Sequence, residues 1–121
     1  MPAFLTKNVN TTSKKRMIMN NSTQQAIADL LKSKREEIIS IAAKHGAFNV
    51  RIFGSVARSE ADSDSDIDFL VDYSIDNISP WFPAGLVLDL EKLLGCKVDV
   101  ATESALKDRI RERVLSEAIA L

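Results

Sequence analysis

Cysteine is nearly missing from this chain. Cys96 stands alone, so no internal disulfide can form, and a reducing compartment is expected. Charge of one sign is missing too: 16 Lys and Arg face 17 Asp and Glu, for a net charge of −1. No global field therefore recruits a polyanion or a membrane surface, and direct nucleic-acid binding is not expected. There is no stretch of about 18 apolar residues to span a membrane. The N-terminus lacks the apolar core of a signal peptide, so a cytoplasmic location is expected. Repeats and low-complexity tracts are absent. What is present is 121 residues, 45% apolar and 27% charged, which suits one globular domain with one modest core.

Residues 1–21 read as a disordered N-terminal extension. They are rich in Asn, Thr and Ser, with Lys14, Lys15 and Arg16, and show no sustained apolar period. Residues 22–121 read as the domain. Ser22 with Gln25 fits a capping box, and Ile27, Leu30, Leu31, Ile38, Ile41 and Ala42 recur at helical spacing. One helix is predicted from about Ser22 to His45, stopped by Gly46. Asn49 to Phe53 reads as a strand, and Ser55 to Glu60 as one helical turn. Alternation of Ile67, Phe69 and Val71 with Asp66, Asp68, Leu70 and Asp72 predicts a second strand. Ser79-Pro80 reads as a helix start, with Leu86, Val87, Leu90, Leu93 and Leu94 on one face and Gly95 closing it. Cys96 to Ala101 is a third strand. Leu106, Ile110, Val114, Ala118 and Leu121 mark a final helix. The order predicts an α/β fold: a small mixed sheet of three or more strands with helices packed on it.

The informative stretch runs from Arg51 to Val71, RIFGSVARSEADSDSDIDFLV. Gly54-Ser55 follows a strand; ten residues later Asp66 and Asp68 flank Ile67. Residues i and i+2 of a strand share a face, so the two carboxylates project together, away from the core. When both are ionised they repel, and a divalent cation would remove the conflict. Mg²⁺ favours one or two carboxylates with phosphate oxygens and waters, and a pair of ions serves displacement at phosphorus. Asp99 lies off the apolar face of Val98 and Val100; if its strand neighbours that of Asp66, a third carboxylate joins the group. Gly54 lets the backbone approach a phosphate, N–H groups opening a helical turn attract anions, and Ser55 adds a donor. Arg58, one turn on, is placed to reach a phosphate oxygen or to form a surface ion pair. Asp62 and Asp64 read as solvated loop residues.

These residues resemble the signature of the polymerase-β-type nucleotidyltransferases. Phe53 to Arg58, Ser65 to Val71, Leu90 to Gly95 and Lys97 to Val100 are similar to the wording of its small prokaryotic members, over about Ser22 to Leu121. The short length points to the minimal, single-domain branch, which includes the MntA antitoxins of HepT/MntA (type VII) toxin–antitoxin pairs. The resemblance implies Mg²⁺ (two ions) held by Asp66, Asp68 and Asp99. It implies ATP as substrate, with its triphosphate on Gly54, Ser55 and Arg58. It further implies transfer of AMP to a tyrosine of a HEPN-type, HepT-like toxin. Transfer to a small molecule such as an aminoglycoside, and toxin neutralisation by binding alone, are the alternatives. One departure stands out: the family often has glycine after the arginine, whereas Arg58 is followed by Ser59. If that position needs positive φ, serine strains the turn by about 1 kcal/mol.

Outside the motif, Trp81 or Phe82 could stack on a base or cover the core at a helix start. Lys107, Arg109, Arg111 and Arg113 are diluted by Asp108, Glu112 and Glu117. They read as a solvated helix face, with partner docking as the alternative.

Overall fold

The computed structural model describes residues 12–121, with side chains from Thr23 onward. Residues 1–11 lie outside the described residues. In chain order the elements are α1 (Thr12–Ser33), α2 (Arg35–Lys44), β1 (Ala47–Phe53), α3 (Gly54–Ala57) and β2 (Ile67–Tyr73). Then come α4 (Ala84–Leu94), β3 (Val98–Ala101), a 3-10 turn (Glu103–Ala105), α5 (Asp108–Glu117) and β4 (Ile119–Ala120).

The sheet order is β3-β2-β1-β4. β1 is antiparallel to β2 and to β4, whereas β2 and β3 are parallel. Parallel neighbours need a crossover, and α4 supplies it. The predicted mixed α/β sheet is therefore present, with one strand more than the three read from sequence. Among the described residues no helix is long and apolar enough to cross a membrane.

Period-two patterning decides which face is buried. Ile67, Phe69 and Val71 of β2 are at most 1% exposed, and Val98 and Val100 of β3 are buried beside them. Ile38 and Ala42 of α2 and Leu86, Leu90 and Leu94 of α4 complete this core, and Val50 and Ile52 of β1 join it. Each fully buried large side chain contributes about 1.5–3 kcal/mol relative to exposure. Leu70 is also fully buried, although it falls on the opposite face and outside the main core; it pairs with Ala101 of β3.

Several boundaries differ from the sequence reading, and the reasons for the largest differences are identifiable. The helix read from Ser22 begins at Thr12, so residues 12–21, expected to be disordered, are helical. Lys14, Lys15, Arg16, Met17 and Met19 are unbranched residues of good helix propensity. The same helix breaks at Lys34 (φ −105°, ψ 10°). There Ser33 Oγ donates to the Leu30 carbonyl and competes with the backbone ladder.

The helix read from Ser79-Pro80 starts at Ala84, with Pro83 at the N-cap. Ser79 has another partner: its Oγ meets His45 Nδ1 at 2.9 Å, and His45 Nε2 meets Asp89 Oδ2 at 2.7 Å. This buried imidazole ties the end of α2 to α4, and its hydrogen bond holds the Asp89 carboxyl below its ordinary pKa. The final helix stops at Glu117. Ala118 and Leu121, read as its last turns, flank the short strand β4, which pairs Ala120 with Arg51 and Ile119 with Ile52.

Candidate active site

The motif residues meet where β1 ends and β2 and β3 begin. Phe53 pairs with Asp68 across the antiparallel ladder, and Asp68 pairs with Asp99 across the parallel one. Asp68 and Asp99 thus stand side by side on one face, with Asp66 two residues upstream of Asp68. The burial of β3 alternates as expected: Asp99 is exposed between buried Val98 and Val100. The start of β3 is pinned by Glu91, which accepts the Val98 N–H at 3.1 Å, while Ile67 N–H donates to the Lys97 carbonyl at 3.0 Å.

Glycine is favoured at position 54 on two counts. Its φ is +75°, and a Cβ built on it would fall on Asp68 Oδ2. Both the left-handed backbone and the close approach of the carboxylate favour glycine. Beyond it α3 makes a single turn, as expected for Ser55 onward. The chain then reaches Ser59 with φ +61°, so the position where the family favours glycine does adopt the left-handed conformation here with a serine. The loop is held from below by Gln24 of α1. Its Nε2 donates to the Val56 carbonyl at 3.1 Å, and its Oε1 accepts the Ala61 N–H at 3.0 Å. Asp62 accepts from the Asp64 N–H and Ser65 Oγ, a self-contained turn that accounts for this carboxylate without a role at the site.

The electrostatics single out Asp68. Its carboxyl pKa is raised from 3.8 to about 6, first by loss of water, then by the charges of Asp99 and Asp66. Glu117 pushes the same way; the Arg58 charge opposes. Three carboxylates around one half-buried oxygen pair favour an arriving cation. Among the described residues, no three His, Cys, Asp or Glu side chains are placed to hold a metal ion by themselves. The donor set instead fits an ion that takes one or two carboxylates and completes its shell with phosphate oxygens and water, as Mg²⁺ does.

Arg58 lies beside this group, 43% exposed in its side chain. Its Nε donates to Glu60 at 2.9 Å, and its Nη1 lies 3.2 and 3.3 Å from the two carboxylate oxygens of Glu117. Those two partners raise its pKa above the ordinary guanidinium value. Glu117 also accepts the Gly54 N–H at 2.7 Å. Sequence reasoning counted Glu117 only as a charge diluting the last helix, and it missed Gln24 and Glu91. A single side chain acting across 63 positions of sequence leaves no local pattern to read. Trp81 and Phe82 are not at this site. They precede α4, at the opposite end of the sheet, where Phe82 packs on Tyr73 at the end of β2 (ring centroids 5.4 Å apart) and Trp81 is 78% exposed.

Comparison with known proteins shows the family to which this chain belongs. The sequence pattern of the nucleotidyltransferase domain family matches residues 31–121. The protein adenylyltransferase MntA of Thermococcus cleftensis is 39% identical over 93 residues, covering 69% of this chain and 92% of that protein. A Methanocaldococcus jannaschii protein, provisionally named a protein adenylyltransferase, is 39% identical over 85 residues, covering 70% and 90%. A solved structure provisionally described as a minimal nucleotidyltransferase superposes with a TM-score of 0.68 at 48% identity, covering 77% of this chain and 94% of that one. A toxin–antitoxin structure solved with AMP-PNP shares the fold, with a TM-score of 0.53 at 18% identity over 80% of this chain and 70% of that one. With its paired strand carboxylates beside a Gly-Ser turn, the chain belongs to the nucleotidyltransferase domain family and is an enzyme of that class.

Proposed function

We propose that this enzyme transfers AMP from Mg-ATP to a tyrosine hydroxyl of a cytoplasmic partner, a HEPN-type, HepT-like toxin, and so acts as the antitoxin of the pair. The observation that carries the reading is the register that sets Asp68 beside Asp99 and against Gly54. The names of the relatives, which are protein adenylyltransferases, support a protein as acceptor.

In this mechanism the Gly54 N–H and the Ser55 hydroxyl bind phosphate oxygens, and Arg58 pairs with phosphate charge. Asp66, Asp68 and Asp99 would hold Mg²⁺, which would neutralise charge at the phosphates and make the incoming hydroxyl more acidic. Asp99, exposed at the strand edge, accepts the hydroxyl proton on its carboxylate. The hydroxyl oxygen bonds to the α-phosphorus, the bond from that phosphorus to the bridging oxygen breaks, and pyrophosphate leaves. Positioning and charge neutralisation, rather than a covalent enzyme intermediate, lower the barrier. Asp66 and Asp99 are exposed, which leaves the reacting centre open to an acceptor carried by another protein.

Mass spectrometry of a co-expressed partner tests the reading. The expected result is a mass increase in AMP steps that requires Mg²⁺ and is lost in Asp66→Asn. An AMP adduct on an aminoglycoside, with none on the partner, would overturn it in favour of small-molecule transfer. Neutralisation undiminished in a triple Asp66, Asp68 and Asp99 variant would show that binding suffices.

A further inference from the structure

We infer that Glu117 occupies, from within the chain, the seat that a nucleotide phosphate takes, so that nucleotide binding must displace it. The inference rests on reading Gly54, Ser55 and Arg58 as the phosphate cradle, and it deepens that reading with a built-in competitor.

Two donors assigned to phosphate are both taken by this one carboxylate. Oε2 accepts the Gly54 N–H at 2.7 Å, and both oxygens lie within 3.3 Å of Arg58 Nη1. The side chain is only 15% exposed, against 62% for Glu60 on the same arginine. Two features around Glu117 work against an anion there. It is the last residue of α5, where the helix dipole repels an anion. It also sits close enough to Asp68 to push that carboxyl pKa up, in a region already holding Asp66 and Asp99. The pull that keeps it there comes from the backbone N–H and the guanidinium, the same charge-assisted donors that a phosphate oxygen seeks.

The anchoring around Glu117 lets it leave without unfolding the domain. Upstream, α5 is fixed by Arg111, which donates to the carbonyls of Glu103 and Leu106, and by Val114, which is 3% exposed. Downstream, Ala118 leads into the two-residue strand β4. A side-chain rotation or a shift of the last helical turn then frees the Gly54 N–H and Arg58 together. A phosphate and Glu117 cannot share these donors, since both are anions and the Gly54 N–H is a single donor.

The test is calorimetric titration of the full chain with Mg²⁺ and an ATP analogue carrying a methylene between the α and β phosphorus atoms. Wild type is compared with Glu117→Gln and Glu117→Ala, each checked for folding by its thermal melt; if the alanine variant does not fold, the glutamine variant decides. Removing the competitor should tighten binding about tenfold, the scale of one charge-assisted hydrogen bond that no longer has to be displaced. Unchanged or weaker binding in a folded variant, with wild type binding normally, overturns the inference and leaves the nucleotide reading intact. Binding by neither wild type nor variant overturns both.

Discussion

Replacing Asp68 by Asn should make the metal-free protein more stable while abolishing transfer. The carboxyl is raised from 3.8 to about 6 by loss of water and by Asp99 and Asp66. Between those two values the unfolded chain has released the proton and the native state still holds it, so stability falls as pH rises through this window. Below it the carboxyl is protonated in both states and costs nothing; above about 6 the full penalty applies. Without solvent screening the gap corresponds to about 3 kcal/mol. Asp68 is only half-buried, and screening by water reduces this to about 1–2 kcal/mol. Asparagine keeps the shape, removes the charge and can donate to a neighbouring carboxylate. In chelator at pH 8, denaturant titration should show Asp68→Asn more stable by about 1–2 kcal/mol, with a melting temperature higher by about 5 °C. At pH 4 most of the advantage should be gone, and at pH 3 it should vanish. Adding Mg²⁺ with nucleotide should stabilise wild type and leave the variant unmoved. A variant less stable than wild type at pH 8, or an advantage that persists unchanged at pH 4, would refute the account of Asp68 as a carboxylate waiting for a cation.

Four further outcomes follow from the same geometry. At sub-saturating Mg²⁺, transfer activity should fall as pH drops through about 6, because the metal-free Asp68 must lose its proton to bind a cation; a profile flat down to pH 4.5 under those conditions would contradict this. Ser59→Gly should stabilise the fold by about 0.5–1 kcal/mol in denaturant titration, since φ +61° is strained for serine and free for glycine; destabilisation would show that the Ser59 side chain has a role of its own. Gly54→Ala should cost at least about 1 kcal/mol and remove most transfer activity, as the methyl displaces the Asp68 carboxylate; near-normal activity would mean that the loop relaxes freely. Phe69→Ala should cost about 3–5 kcal/mol by opening a void in the fully buried core, measurable by denaturation with the metal absent.

The legible parts of this fold were those written in local pattern. Period-two alternation gave β2 and the burial of Ile67, Phe69 and Val71. It also set Asp99 on the open side of β3, because a pleated strand leaves no choice once its hydrophobic face is buried. Gly54 was legible as a backbone that approaches something closely; that the something is Asp68 required the β1–β2 register. Two of the misread boundaries are places where a distant partner overrides a local signal. Ser79 looks like a helix cap, yet its hydroxyl meets His45, 34 positions away, and Pro83 takes the cap position instead. The C-terminal apolar period promised a longer helix. β1 offered Ile119 and Ala120 a place on its free edge, and Leu121 N–H closes on the Val50 carbonyl at 3.1 Å.

Glu117 is the sharpest instance, and it shows why a site of this kind is only half visible in sequence. The residues that must meet substrate carry strict geometric demands, such as a positive φ, an alternation or a fixed gap, and so leave a motif. A residue that holds the same donors in the absence of substrate needs only a carboxylate that can reach them. Any helix end delivered to the mouth of β1 can supply one, and here it is α5 that does. Its position is bounded by the anchored helix α5 on one side and by the pairing of β4 with β1 on the other. Moving that strand should therefore move the competitor: Ile119→Pro, which removes a backbone donor from the β1–β4 pair, is expected to loosen Glu117 and tighten nucleotide binding in the same direction as Glu117→Gln. If Ile119→Pro weakens nucleotide binding while the domain stays folded, β4 supports the cradle itself and Glu117 is placed by α5 alone.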